Sequence, residues 1–204
     1  MKPGSRITRL GAVLIAGSIA LGASGAALAQ DGRLYFGGSF GQAEANDLCS
    51  DLDALVSSTP GATLQSCDEK DSAFKLFGGF QVNPNFAIEA SYFDYGKFKA
   101  NGDSGGSPFT ISADATAFGI AAVGILPVGQ RFSVFGKVGF LSTELDVLAA
   151  GPGGAFSESD SETGLHIGLG ALFSVTNKVG IRAEWERNDE AEIDMISVGV
   201  QVRF

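Results

Sequence analysis

Ile196-Ser197-Val198-Gly199-Val200-Gln201-Val202-Arg203-Phe204 ends the chain in strict alternation, apolar at even numbers and polar or small at odd ones. Successive side chains of a strand point to opposite faces, so this is a β-strand with two chemically different surfaces. Taken alone, it suits the edge of a soluble sheet as well as the wall of a barrel. The segments upstream decide.

Val179, Ile181, Ala183 and Trp185 alternate with Arg182, Glu184 and Glu186, and the same period runs through 165–173, 132–140, 86–92 and 74–82. Two less sharp segments cover about 33–42 and 114–126. Asn83-Pro84-Asn85, 127–130 and Thr176-Asn177-Lys178 carry the chemistry of tight turns, whereas 43–72, 99–113, 146–161 and 188–193 read as longer polar loops. The expectation is an all-β fold, an eight-stranded antiparallel up-and-down transmembrane β-barrel, with short turns and both termini on the periplasmic rim.

The faces separate this from a soluble ligand-binding barrel or sandwich, which would bury the apolar face and wet the charged one. Lys75, Glu89, Lys137, Arg182, Glu184, Glu186 and Arg203 share their face with Gly79, Gly119, Gly139, Gly168 and Gly170, the mixture that fills a narrow lumen. The other face is Phe, Leu, Ile and Val, with Phe80, Tyr92, Phe132, Phe140, Phe173 and Trp185 as interfacial aromatics. In water it would form an apolar patch far beyond what a soluble monomer exposes, so lipid must cover it. A charge at Val200 should cost roughly 2–4 kcal/mol near the midplane, and Gln201→Arg far less.

Lys2, Arg6 and Arg9 precede an apolar run over 10–21 and the small-residue close Ala27-Leu28-Ala29, the build of a signal peptide spanning residues 1–29. Cleavage after Ala29 leaves residues 30–204 as one outer-membrane β-barrel domain, and no later apolar run has the length of a membrane helix. It also lowers Lys+Arg from 14 to 11 against 23 acidic residues, a formal charge of −12. Nucleic acid is excluded as a partner, since phosphate binding needs concentrated bases.

Phe77-Gly78-Gly79-Phe80-Gln81-Val82-Asn83-Pro84-Asn85 followed by Ile88-Glu89-Ala90-Ser91-Tyr92 resembles the OmpA-like transmembrane domain family, and Arg182-Ala183-Glu184-Trp185, 132–139 and 196–204 continue the resemblance. It implies the cell outer membrane of a diderm bacterium, with outer-membrane lipid and lipopolysaccharide around the wall. It also implies a C-terminal signal, Val200, Val202 and Phe204, read by the barrel assembly machinery. A lumen charge network is implied at Glu89, Lys137, Arg182 and Glu184. Where the family carries a further lumen Lys and Glu, this chain has Val123 and Leu172, and the periplasmic peptidoglycan-binding domain has no counterpart.

Charges facing one another in a narrow lumen must pair, so that network is either structural filling or the gate of a small pore. Cys49 and Cys67 lie in the first long loop, where an oxidising exterior makes a disulfide the expectation. Residues 47–57 read as a short helix with Asp47 as its cap. The acids of that loop and of 189–194 match no calcium-binding loop, so no metal and no cofactor are expected. His166, the single histidine, sits mid-strand on the lumen face without a nucleophile in the pattern, and no catalytic residue and no enzyme activity are assigned. The function expected is envelope integrity or adhesin-like surface recognition of an extracellular ligand or host surface through the loops. The alternative is a small gated pore for ions or small solutes.

Overall fold

The alternation is carried by nine strands and one helix in a computed structural model that describes residues 33–151 and 154–204. The strands are β1 (Leu34–Ala45), β2 (Ala62–Asp68), β3 (Lys70–Asn83), β4 (Phe86–Ser104), β5 (Ser107–Pro127), β6 (Phe132–Gly151), β7 (Gly154–Ser174), β8 (Val179–Asn188) and β9 (Ile193–Arg203), and the helix α1 is Leu48–Ser57. Eight of them form an antiparallel ring in the order β1-β3-β4-β5-β6-β7-β8-β9, closed by β9 on β1 from Tyr35↔Arg203 to Ala45↔Ile193. Closure pairs the backbone polar groups of every wall strand, the condition for crossing lipid with a sheet. β2 stands outside the ring and pairs only with the far half of β4, from Ala62↔Ser104 to Asp68↔Lys99. The predicted leader, residues 1–29, lies outside the described residues.

Inward and outward faces follow the two-residue period. Phe40 is 65% exposed and Phe140 61% on the outside, whereas Lys75 is 0% and Glu89 1% exposed within the lumen. A bulge changes that phase once: the β4–β5 register shifts between Asp94 and Lys97, around Gly96 with φ of 81°. Phe93 and Tyr95 therefore point inward before it, and Phe98 and Ala100 after it.

Two of the expected loops are strands instead. β4 and β5 pair out to Ser104↔Ser107, and β6 and β7 out to Gly151↔Gly154, so 99–113 and most of 146–161 extend the hairpins beyond the ring. Gly105 and Gly106 have φ of 63° and 86°, the left-handed pair that a two-residue hairpin turn requires. Alternation persists there only in part, with Phe109, Ile111 and Ala113 between Thr110 and Ser112 and with Ala100 buried, while 154–163 are exposed throughout and the backbone ladder carries the strands on.

The first loop folds as α1, β2 and a disulfide between Cys49 and Cys67, whose Cα atoms are 5.8 Å apart. The helix is in the expected place but the cap is not. Asp47 has φ of 61° and makes no side-chain cap, and it is Glu69 Oε1 that accepts the Cys49 amide at 2.9 Å. A carboxylate from the next segment does the work expected of the residue before the helix.

Candidate functional site

The densest cluster of charge within the barrel is at mid-lumen, where five strands each turn at least one long side chain inward. β3 supplies Lys75, β4 Glu89, β6 Lys137, β7 His166, and β8 Arg182, Glu184 and Glu186 at consecutive inward positions. Glycines make the room: a methyl at Gly168 would meet the stems of Lys137 and Glu186, at 2.8 and 3.1 Å. Long side chains laid over such gaps fill a cylinder that eight large residues could not share.

Three cations and three carboxylates interlock there. Arg182 donates from Nη1 to Glu89 Oε2 at 2.7 Å and from Nη2 to Glu89 Oε1 at 3.1 Å, and its Nε lies 2.8 Å from Glu184 Oε1. Lys137 reaches Glu89 and Glu186, each at 2.9 Å, and also Glu184. Lys75 donates to Glu184 at 2.9 Å and Glu186 at 2.7 Å. Tyr35 donates its hydroxyl to Glu89 Oε2 at 3.0 Å, and the Arg182 guanidinium lies between the rings of Phe77 and Phe135, 4.3 and 4.4 Å from their centres. Balanced charge and nearly full pairing let six ions sit where few waters can reach them.

The structure thus brings together the four charges named from the sequence, Glu89, Lys137, Arg182 and Glu184, and adds Lys75 and Glu186. Both additions were legible as lumen-facing charges. Their membership depends on strand stagger around the ring, which periodicity does not carry. Val123 and Leu172 belong to an apolar layer with Tyr35, Phe77, Ala87 and Phe135 on the side nearer the termini. A second layer, including Phe93, Tyr95, Phe98, Leu141 and Met195, lies on the other side. His166 borders that layer, its ring edge-on to Phe93 and its Nε2 3.2 Å from Glu186 Oε1.

The other named residues lie apart from this cluster. Cys49 and Cys67 are on the rim opposite the termini. Val200 and Phe204 face outward, 49% and 55% exposed, with Val202 between them half-buried on the same face. Among the described residues no group of three or more His, Cys, Asp or Glu is placed to hold a metal ion. The cavity at the termini end, bounded by Arg182, Gln201 and Arg203, offers about 20 Å³ for water, room for roughly one molecule.

A family model described as outer membrane protein beta-barrel domain matches residues 13–204. No curated protein matches the sequence. Among solved structures, the N-terminal β-barrel domain of Pseudomonas aeruginosa OprF is similar at 12% identity, over 84% of this chain and 98% of that one, with a TM-score of 0.52. The outer membrane protein OprG from the same organism is similar at 9% identity, over 83% and 96%, with a TM-score of 0.50. Ail, the attachment invasion locus protein of Yersinia pestis, is similar at 17% identity, over 84% and 99%, with a TM-score of 0.49. At such identities the likeness to the two Pseudomonas barrels is one of fold.

Proposed function

We propose, from the fact that this chain belongs to the outer membrane protein β-barrel domain family, that it is a closed outer-membrane scaffold whose work is done outside its lumen, in envelope integrity or adhesin-like surface recognition. The observation that carries this reading is the six-ion plug between two apolar layers. A conducting path would have to break several buried pairs and wet both layers at once, each a cost of several kcal/mol. The hairpins that rise beyond the ring are then the parts free to touch an extracellular ligand or host surface.

In this reading the leader is removed after Ala29, the termini face the periplasm, and Val200, Val202 and Phe204 are read by the barrel assembly machinery. Outer-membrane lipid and lipopolysaccharide cover the apolar wall. Reconstitution of the folded protein in planar bilayers tests the closed lumen, and an absence of current steps is the expected result. A strain lacking the protein should change in detergent sensitivity, vesiculation or surface attachment; a strain unchanged in all three would overturn the scaffold reading.

A small gated pore is the second reading, favoured by one observation. Lys75 and Lys137 share Glu184 and Glu186, so each carboxylate already has an alternative partner. Discrete openings altered by Lys75→Met would select it.

A further inference from the structure

Charge is divided along the barrel axis. The rim that carries the termini and the short turns holds Arg33, Arg131, Lys178 and Arg203, and no Asp or Glu side chain among the described residues of 33–36, 82–87, 126–133, 174–180 and 202–204. The opposite rim and its hairpins carry most of the chain's 23 acidic residues.

The bases are also gathered on one side. Arg131 precedes β6, Lys178 precedes β8 and Arg33 precedes β1, so these three lie on the arc β6-β7-β8-β9-β1 of the ring, whereas Arg203, which ends β9, lines the cavity at the termini end of the lumen. Backbone contacts tie the arc together: Ser174 donates to the Arg131 carbonyl and Arg203 to the Lys178 carbonyl, each at 2.7 Å, and Phe204 to the Leu34 carbonyl at 3.0 Å. The remaining turn, Asn83-Pro84-Asn85, is uncharged. Arg131 and Lys178 are exposed, beside the outward Phe132 and Phe173 and the exposed Val128 and Val175 of the same turns, with which the apolar wall ends. Side chains just beyond that limit are at the depth of lipid headgroups, to which Lys and Arg extend while their stems stay on apolar surface.

We propose that this arc is a binding surface for anionic phospholipid headgroups of the phosphatidylglycerol class, which holds the termini rim at one leaflet. Each base close to an anionic surface strengthens attachment by about fivefold, falling off within a Debye length of about 10 Å at 0.1 M salt. The inference needs only that the barrel spans a membrane, and it holds whether or not the hairpins recognise a surface.

The test is native mass spectrometry of the folded full-length mature protein released from mixed micelles holding equal phosphatidylglycerol and phosphatidylcholine. The wild type should retain phosphatidylglycerol several-fold over phosphatidylcholine, and Arg131→Gln/Lys178→Gln should lose most of that preference. Heat-modifiable gel mobility confirms that the variant is folded. Lys70→Gln/Lys97→Gln, which removes the same charge from the opposite rim, should leave the preference intact. Equal loss in both double variants would overturn the proposal in favour of net charge alone. Displacement of the lipid by millimolar inorganic phosphate would overturn it in favour of a simple anion site.

Discussion

Glu89 on β4 and Arg182 on β8 belong to strands four places apart in a ring of eight, and their side chains meet across the lumen in a two-pronged pair at 2.7 and 3.1 Å. A bond along a diameter couples opposite walls, which neighbouring-strand hydrogen bonds do not. Replacing Arg182 by Met leaves a buried carboxylate short of its main partner and should cost about 3–5 kcal/mol, moderated by the Lys137 and Tyr35 contacts to Glu89. Arg182→Met combined with Glu89→Gln should cost much less. A double-mutant cycle by reversible urea unfolding in bilayers measures the coupling, and zero coupling would remove the plug from this account.

Val200 is on the lipid face and Gln201 faces the lumen. Val200→Arg should lower stability by roughly 2–4 kcal/mol if near the midplane, while Val200→Leu should be neutral, both read by folding into vesicles. Gln201→Arg is no longer the mild control expected from the pattern. Gln201 is 5% exposed and its Oε1 accepts from Arg182 Nη1 at 3.3 Å, so an arginine there would set like charges together in a closed space. Its damage should be relieved by Arg182→Met, whereas that of Val200→Arg should not.

Gly139 and Gly136 lie on one strand with opposite tolerances. A methyl at Gly139 would run into the carbonyl of Ile120 on β5, whereas at Gly136 the nearest atom is Leu169 Cδ2 at 3.5 Å. Gly139→Ala should destabilise by about 1–3 kcal/mol through forced separation of β5 and β6, and Gly136→Ala should change little. Paired urea midpoints in one detergent check this.

The Cys49–Cys67 disulfide closes a separation of 18 residues outside the ring. Its removal by a double Ser substitution should release α1 from β2 with a local loss on the order of 3 kcal/mol, while the barrel stays folded. Limited proteolysis should then cut within 48–68 and leave heat-modifiable mobility intact. Loss of the barrel band instead would show that this loop supports the wall.

The period-two pattern by itself determined the ring strands, the short turns and the two faces, because a strand's side chains alternate whatever it pairs with. The charges were readable as inward-facing for the same reason, since lipid strongly penalises them outside. Only closure decided which of them meet: Lys75 reaches Glu184 and Glu186 because β3 and β8, 109 residues apart at the Lys75–Glu184 contact, are brought across one narrow lumen at a particular stagger. Closure also placed Val123 and Leu172 in an apolar layer, and tertiary contact gave Glu69, not Asp47, the helix N-terminus. The rise of the hairpins beyond the ring was hidden as well, because the glycine and polar runs at 101–106 and 157–163 interrupt the short alternation of Phe109, Ile111 and Ala113, while the ladder of main-chain hydrogen bonds, which needs no side-chain pattern, continues to Ser104↔Ser107 and Gly151↔Gly154.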